Sequence, residues 1–248
     1  MTRPRKSAAY IGTSGWSYEH WREVFYPSDI SNEKMLEFYL QQFNSVEINN
    51  SFYHLPAIST LESWRDAAPK GFLYSVKASR YITHMKKLKD PEKSTPELMR
   101  RIQHLGDTLG PVLFQLPPHW KFNVQRLNSF LQSLSRDYRY AFEFRDPTWI
   151  TDQTYDLLAR HKVAFCIYEL NGYVSPRAVT SDFVYIRLHG PNGAYQGNYS
   201  HAMLTAWASD ITGWRKQGYK VFCYFDNDQE GYAAKNAKSL GELLGNYT

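Results

Sequence analysis

Eight short runs of β-branched and aromatic residues recur along the chain, separated by longer stretches with helical periodicity. That alternation limits the fold more than any other feature. The runs are Tyr10–Thr13, Ser45–Asn49, Phe72–Ala78, Val112–Leu116, Tyr140–Phe144, Val163–Tyr168, Phe183–Leu188 and Lys220–Phe225. Most are almost continuously apolar in the middle, as strands covered on both faces tend to be. Between them, Glu33–Phe43 places Met35, Leu36, Tyr39, Leu40 and Phe43 on one helical stripe. Ser94-Thr95-Pro96-Glu97 reads as a helix start, with Thr95 as the N-cap and Pro96 in the first helical position. Asn123–Leu134 carries Val124, Leu127, Phe130, Leu131 and Leu134 at helical spacing. Leu204–Lys216 and Ala233–Leu244 supply two more helices, the first followed by Gly218 as a left-handed cap.

Eight β/α repeats in 248 residues have the size and rhythm of a closed (β/α)8 TIM barrel. An open doubly wound sheet shares the alternation, but the first strand is not followed by the glycine-rich turn of a dinucleotide-binding fold. The joint between strands six and seven, Glu169–Asp182 with Gly172 and Pro176 inside it, barely admits a crossover helix. A degraded helix is expected there. Nothing in composition, linker content or repeats divides the chain, so residues 1–248 are expected to form a single domain.

Hydrophobic residues make up 43% and charged residues 21%, which excludes disorder and a coiled coil as descriptions of the whole. No apolar stretch has the length of a membrane-spanning helix. The basic start, Met1–Lys6, runs into Ala8-Ala9-Tyr10-Ile11 without the apolar core of a signal peptide. Cys166 and Cys223 each sit inside an apolar run and read as reduced, buried thiols, so a cytoplasmic location is expected. The net charge of +5 suits an anionic ligand and gives weak support to nucleic acid. The one dense basic stretch, Lys86–Lys93, is diluted by Asp90 and Glu92 and reads as a solvated loop. Aromatic residues reach 16%, with 19 Tyr and 7 Trp, a composition useful where a ring must keep one wet edge.

In a barrel of this kind the C-terminal strand ends carry the chemistry, and residues i and i+2 on a strand share a face. That parity groups Glu47 with Asn49, Ser75 with Lys77, Glu143 with Arg145, and Tyr185 with Arg187 and His189. Gln115 ends strand four, Asp226-Asn227-Asp228 end strand eight, and Thr13-Ser14-Gly15-Trp16 end strand one. The opposite parity is apolar: Val46 and Ile48, Phe142 and Phe144, then Val184, Ile186 and Leu188. Charges from several strands at one end call for mutual pairing, ligand binding, or both. The loop Ser14–Ser31, with Trp16, Trp21, Phe25 and Tyr26, is either pocket wall or barrel plug. The glycine-rich Gly190–Tyr199 reads as a mobile ligand cover, because no helix follows in the spacing of a phosphate-binding loop. No zinc-protease, nucleophile-elbow or paired-cysteine motif is present. No cofactor is evident; a divalent metal held by the oxygens of Glu47, Glu143 and Asp226 is the one metal site the residue types allow.

Several of these blocks resemble the family called domain of unknown function seventy-two, the YecE-like proteins. They are Ile11-Gly-Thr-Ser-Gly-Trp-Ser-Tyr18, Val46-Glu-Ile-Asn-Asn-Ser-Phe-Tyr53, Val76-Lys-Ala-Ser-Arg80 with Thr83-His84, and Leu113-Phe-Gln-Leu-Pro-Pro118. Phe142-Glu-Phe-Arg145 with Trp149, Tyr185-Ile-Arg-Leu-His-Gly190 and Tyr224-Phe-Asp-Asn-Asp228 continue the series in order. Asp226 departs from the asparagine the resemblance leads one to expect. The resemblance implies a TIM barrel and supplies no reaction.

The expected function is therefore an enzyme, a hydrolase or an isomerase, acting on a small polar, anionic or sugar-like ligand. Glu143 and Glu47 are the expected acid–base pair, with Lys77 and His189 as further catalytic residues. Thr13, Ser14, Trp16, Asn49, Tyr53, His84, Gln115, Arg145, Arg187, Asp226 and Asn227 are the expected ligand-binding residues. Two alternatives stand beside it: a divalent-metal phosphoesterase or nuclease, and a metabolite-binding protein without catalysis.

Overall fold

The apolar runs become strands because each is too short and too β-branched to hold a helix against the sheet it can join. The computed structural model describes residues 7–245, so the basic Met1–Lys6 segment lies outside the described residues. The strands are β1 (Ala9–Thr13), β2 (Ser45–Ile48), β3 (Leu73–Lys77), β4 (Leu109–Gln115), β5 (Tyr140–Glu143), β6 (Ala164–Leu170), β7 (Tyr173–Val174), β8 (Phe183–Leu188) and β9 (Lys220–Phe225). The helices are α1 (Asn32–Gln42), α2 (Ile58–Ala67), α3 (Pro91–Ser94), α4 (Pro96–Ile102), α5 (Val124–Ser133), α6 (Asp152–Arg160), α7 (His201–Lys216) and α8 (Tyr232–Leu243). Apart from the step from β6 to β8, eight of the strands alternate with helices, the architecture of a (β/α)8 TIM barrel.

Two compact units make up the chain, and the boundary runs through β2 and β6. The first holds the segments up to Glu47, Ile167–Arg177 and everything from Asp182 onward. In it β1 pairs with β9 and β9 with β8, all parallel, with Tyr10 opposite Phe222 and Tyr185 opposite Phe222 in register. Those three rings share a face and stack, Tyr10 on Phe222 at 4.8 Å and Tyr185 on Phe222 at 6.4 Å. One step along the strands, Gly12 lies opposite Tyr224. A Cβ at Gly12 would stand 2.0 Å from the carbonyl oxygen of Ser45, so only glycine lets these backbones approach. A parallel bridge from Ser14 to Glu47 then joins the end of β1 to β2.

The second unit spans Ile48–Cys166 with Ala178–Ser181. Here β3, β4, β5 and the start of β6 pair in parallel, with Lys77 opposite Leu113, Gln115 opposite Glu143, and Phe142 opposite Phe165. The outward face is a run of phenylalanines: Phe114 stacks on Phe142 at 5.1 Å and meets Phe130 of α5 edge-on at 5.0 Å. Asn123 caps α5, its side chain accepting from the Arg126 amide at 2.9 Å.

Three local expectations are corrected. Between strands six and seven there is no degraded helix; Asn171 and Gly172, both with positive φ (52° and 73°), turn β6 back into the antiparallel β7. An Asn-Gly pair in this conformation matches the twist of a two-residue hairpin, which fits where a helix does not. Thr95 does not cap α4 with its side chain; its hydroxyl donates back to the Pro91 carbonyl at 2.7 Å, because α3 already leads into it. The basic stretch Lys86–Lys93 is not wholly solvated, since Leu88 within it is buried. The Ser14–Ser31 loop packs as an aromatic cluster, with Phe25 edge-on to Phe38 and stacked on Phe43.

Substituting Gly12→Ala is expected to lower stability by about 1–3 kcal/mol, the cost of overpacking a close contact. The midpoint of urea unfolding measures it, and an unchanged midpoint would refute the tight approach of Gly12 to Ser45.

Candidate functional site

Arg187, on β8, is completely buried in the first unit, and the strand ends around it supply what a guanidinium removed from water needs. Its Nη2 and Nε donate to Glu47 Oε1 at 2.8 and 3.1 Å, and Nη2 also donates to Asp226 Oδ2 at 2.9 Å. Ser14 Oγ donates to the same Glu47 oxygen at 2.5 Å, and the Tyr185 hydroxyl donates to Glu47 Oε2 at 2.7 Å. Glu47 therefore accepts on both oxygens while fully buried. His189 stands 3.0 Å from Asp226 Oδ2 through Nδ1, and Arg187 Nη1 lies 3.4 Å from its Nε2. A guanidinium can only donate, so Nε2 accepts and Nδ1 carries the proton given to Asp226.

The phenols nearby stay protonated. Burial pushes the Tyr185 hydroxyl far up, and the charge of Glu47 adds to it. Tyr18, whose hydroxyl donates to the Ser14 carbonyl at 2.7 Å, is raised by burial first and then by Asp226, Asp228 and Glu47. Both remain donors, which suits a network rich in carboxylate oxygens.

The second unit carries a different cluster. On one face of its sheet, Lys77, Gln115 and Glu143 follow one another from β3 to β5. Lys77 Nζ sits 4.3 Å above the Phe52 ring, a cation–π contact in a largely desolvated place. Phe52 in turn meets the His84 ring edge-on at 5.1 Å. His84 stands in a single π-helical turn, Tyr81–Met85, and Thr83 Oγ1 lies 2.9 Å from its Nδ1. Burial, then the charges of Lys77, Arg80 and Arg145, push its imidazole down to about 4. Arg145 forms an ion pair with the buried Glu143, and Cys166 Sγ lies 3.8 Å from the other Glu143 oxygen.

The first unit thus gathers Ser14, Glu47, Arg187, His189 and Asp226, and the second gathers Lys77, His84, Glu143 and Arg145. Of the other expected site residues, Gln115 and Tyr53 border the second cluster and the rest stand elsewhere. Thr13 turns to the helix side, its hydroxyl donating to the Gly15 carbonyl at 2.6 Å and meeting the Tyr39 hydroxyl of α1 at 2.9 Å. Asn227 donates to the Gly197 carbonyl at 2.8 Å and to Asn236 of α8 at 2.9 Å, so it anchors the glycine-rich loop. Trp16 is nearly buried, and its carbonyl accepts from the Tyr26 hydroxyl at 2.6 Å. Asn49 has left the strand for a helical backbone (φ −99°, ψ −26°), so alternation no longer aims it. Gln115 donates to the Leu116 carbonyl at 3.3 Å, and Tyr53 is 64% exposed.

Arg80, Phe52 and Cys166 were not among the expected residues. The registers β4–β5 and β5–β6 carry Cys166 next to Glu143, a neighbourhood no single strand's parity reveals. Glu169 was passed over too; it accepts from Trp207 Nε1 of α7 at 3.3 Å, and burial raises its carboxyl. Cys166 and Cys223 are both buried, and among the described residues neither is in a disulfide. Among the described residues, no three His, Cys, Asp or Glu side chains are grouped to hold a metal ion. Among them, too, no helix is long and apolar enough to cross a membrane.

Fold and strand-end clusters together define an α/β barrel protein with its polar groups at the C-terminal strand ends. The chain belongs to the family described as protein of unknown function DUF72, whose model matches residues 10–248. It is 28% identical over 270 residues to the UPF0759 protein YunF of Bacillus subtilis (strain 168), covering 95% of this chain and 94% of that one. With the UPF0759 protein YecE of Escherichia coli (strain K12) it shares 30% identity over 139 residues, 56% of this chain and 48% of that one. A crystal structure of a DUF72 family protein from Thermotoga maritima superposes with a TM-score of 0.88 at 28% identity, covering 96% and 99% of the two chains. One from Enterococcus faecalis has a TM-score of 0.79 at 18% identity, covering 96% and 95%, and shares the fold.

Two outcomes follow from the clusters. Arg187→Met is expected to cost about 3–5 kcal/mol in urea unfolding, because it strands the carboxylates of Glu47 and Asp226 in the interior; a loss below about 1 kcal/mol would contradict that role. His84 binds its proton more weakly folded than unfolded, so it contributes stability above its ordinary value near 6.5 that is lost as pH falls toward about 4. The His84→Gln variant should show a flatter stability profile between pH 6.5 and 4, and the His84 ring signal in NMR should titrate near 4. Titration above 6 would refute the arrangement.

Proposed function

We propose that this protein is an enzyme acting on a small anionic ligand at the strand ends of its second unit. Glu143 is the general acid or base, and Lys77, Arg80 and Arg145 hold the negative charge. The observation that carries this reading is a largely buried Lys77 over the Phe52 ring, with Glu143 and its Arg145 partner at the end of β5 in the same sheet. Lys77 and Arg145 are largely removed from water, where holding a cation is costly and a bound anion lowers the cost, while Arg80 is exposed. Glu143, fully buried at the end of β5, has the fixed setting that acid–base catalysis requires. Its ion pair with Arg145 aligns the carboxylate; a ligand anion that draws the guanidinium to itself leaves Glu143 able to take or give a proton. Proton transfer in an isomerisation and in a hydrolysis are both served by this arrangement.

In this reading Glu47 and Arg187 are a structural pair of the first unit, since the acceptor sites of Glu47 are occupied by Ser14, Arg187 and Tyr185. His189, oriented by Asp226, keeps the form of a proton-transfer residue. Two buried cysteines outside any disulfide fit a reducing, cytoplasmic setting.

A thermal-shift panel of small organic anions tests the proposal, followed by turnover of whatever binds. A binding anion should stabilise wild type and Glu143→Gln alike, by about 2.7 kcal/mol at 100 times its dissociation constant, and should lose most of that effect on Lys77→Ala. Glu143→Gln should lower turnover by about 10²–10⁴-fold. Undiminished turnover in Glu143→Gln would remove the acid–base assignment.

A further inference from the structure

The loop after β3 carries more of the molecule's positive charge than its length accounts for. Residues 80–93 hold five lysine or arginine side chains against Asp90 and Glu92, a net +3 of the chain's +5. Asp90 is spent inside the loop, 3.5 Å from Lys86 Nζ. Lys87 and Lys89 are exposed, and among the described residues neither stands in an ion pair. Arg126 of α5 joins them, its Nη1 donating to the Lys87 carbonyl at 3.4 Å. A guanidinium so placed keeps further donors for another acceptor.

The same loop turns aromatic surface outward. In the π-helical turn Tyr81–Met85, Ile82 and Thr83 are buried, whereas Tyr81 is 45% and Met85 68% exposed. Lys86 Nζ lies 5.8 Å from the centre of the Tyr81 ring, so cation and ring share one surface. Tyr53, 64% exposed, reaches this turn through Phe52, which it meets edge-on at 5.0 Å; Phe52 meets His84 of the turn at 5.1 Å. A single exposed ring is ordinary on a protein surface. Two rings and a thioether in one chain of contacts, beside cations, are not. The loop is also pinned: the Lys86 amide donates to the Tyr81 carbonyl at 2.8 Å and the amide of the buried Leu88 to Ile82 at 3.0 Å. A surface held in place loses little freedom on binding.

We infer that this surface binds single-stranded nucleic acid, with bases stacked on Tyr53 and Tyr81 and the phosphodiester backbone on Lys87, Lys89 and Arg126. Cations that follow a backbone, beside rings that accept any base face, are the elements of sequence-tolerant single-strand binding. A duplex keeps its base faces stacked inside and offers the rings nothing. A bilayer calls for exposed leucine or isoleucine, but the loop's own, Ile82 and Leu88, are buried. What faces out is two phenols and a polarizable thioether, which suit the faces of bases. The inference goes beyond the small-anion reading and does not rest on it, since Lys77, Glu143 and Arg145 take no part.

Fluorescence anisotropy on the full chain tests it with a labelled oligothymidylate of about twelve nucleotides, an abasic strand of the same length and a duplex of the same length. The oligothymidylate should bind with a log–log salt slope of about −2, as three neutralised phosphates require. It should bind about five-fold or more tighter than the abasic strand or the duplex. Tyr53→Ala combined with Tyr81→Ala should remove the margin over the abasic strand and leave the abasic affinity unchanged; the paired Tyr→Phe variant should keep the margin. Lys87→Gln combined with Lys89→Gln should flatten the slope by about 1.4. These four side chains are exposed, so the variants should melt as wild type does. No binding of the oligothymidylate at about 50 mM salt, equal binding of the abasic strand or the duplex, or a margin that survives loss of both rings overturns the inference. Capture of phosphatidylserine vesicles without binding of the oligothymidylate gives the surface to a membrane and overturns it as well. Each of these outcomes leaves the thermal-shift test of Lys77 and Glu143 untouched.

Discussion

A guanidinium taken wholly out of water governs the first unit. Arg187 is fully buried and its charge has to be met in place, so β2 and the end of β9 must deliver Glu47 and Asp226 to it. The requirement propagates. Glu47 can reach Arg187 only if β2 lies where the Ser14 bridge puts it, and that approach depends on the missing side chain at Gly12. Asp226 then orients His189, and the buried tyrosine hydroxyls supply the remaining donors. Such a network stabilises little compared with an apolar core of equal volume, but a half-formed one is very costly. It acts as a gauge of register, since a slip of one residue in β8 would turn Arg187 to the helix side.

The second unit solves a different electrostatic problem. Lys77 and His84 share the Phe52 ring, burial and neighbouring positive charge keep the imidazole uncharged, and Glu143 stands beside Arg145. The first cluster saturates its hydrogen bonds internally around Glu47, as a structural centre does. The second sets Lys77 on the face of Phe52, whose edge meets the exposed Tyr53. That contrast is why the anion is assigned to Lys77 and its neighbours, and why Glu143 is preferred to Glu47 as the acid–base residue.

Strand parity read from the sequence brings Ser14, Glu47, Arg187 and His189 to one face, because alternation is a property of extended backbone whatever surrounds it. It misleads where the strand stops early. Thr13 belongs to the helix-facing set with Ala9 and Ile11, and Asn49 lies beyond β2 in a helical conformation. Asn227 is spent on the glycine-rich loop and α8, a use that no spacing announces. The antiparallel β7 hairpin was foreshadowed only by the Asn-Gly pair, hidden by the expectation of a crossover helix.

What the sequence determined by itself is the periodic part: eight apolar runs, the amphipathic stripes between them, and which strand residues are polar at the C-terminal end. These follow from local chemistry, the pleat of a strand and the pitch of a helix, and need no knowledge of neighbours. What only the tertiary structure decided is which polar groups meet. The pairing of Glu47 with Arg187 across 140 positions, the nearness of Cys166 to Glu143, and the Lys77–Phe52–His84 contact depend on strand register and loop path. Interaction between charges falls off steeply with separation and rises with burial, and both separation and burial come into being only when distant segments pack.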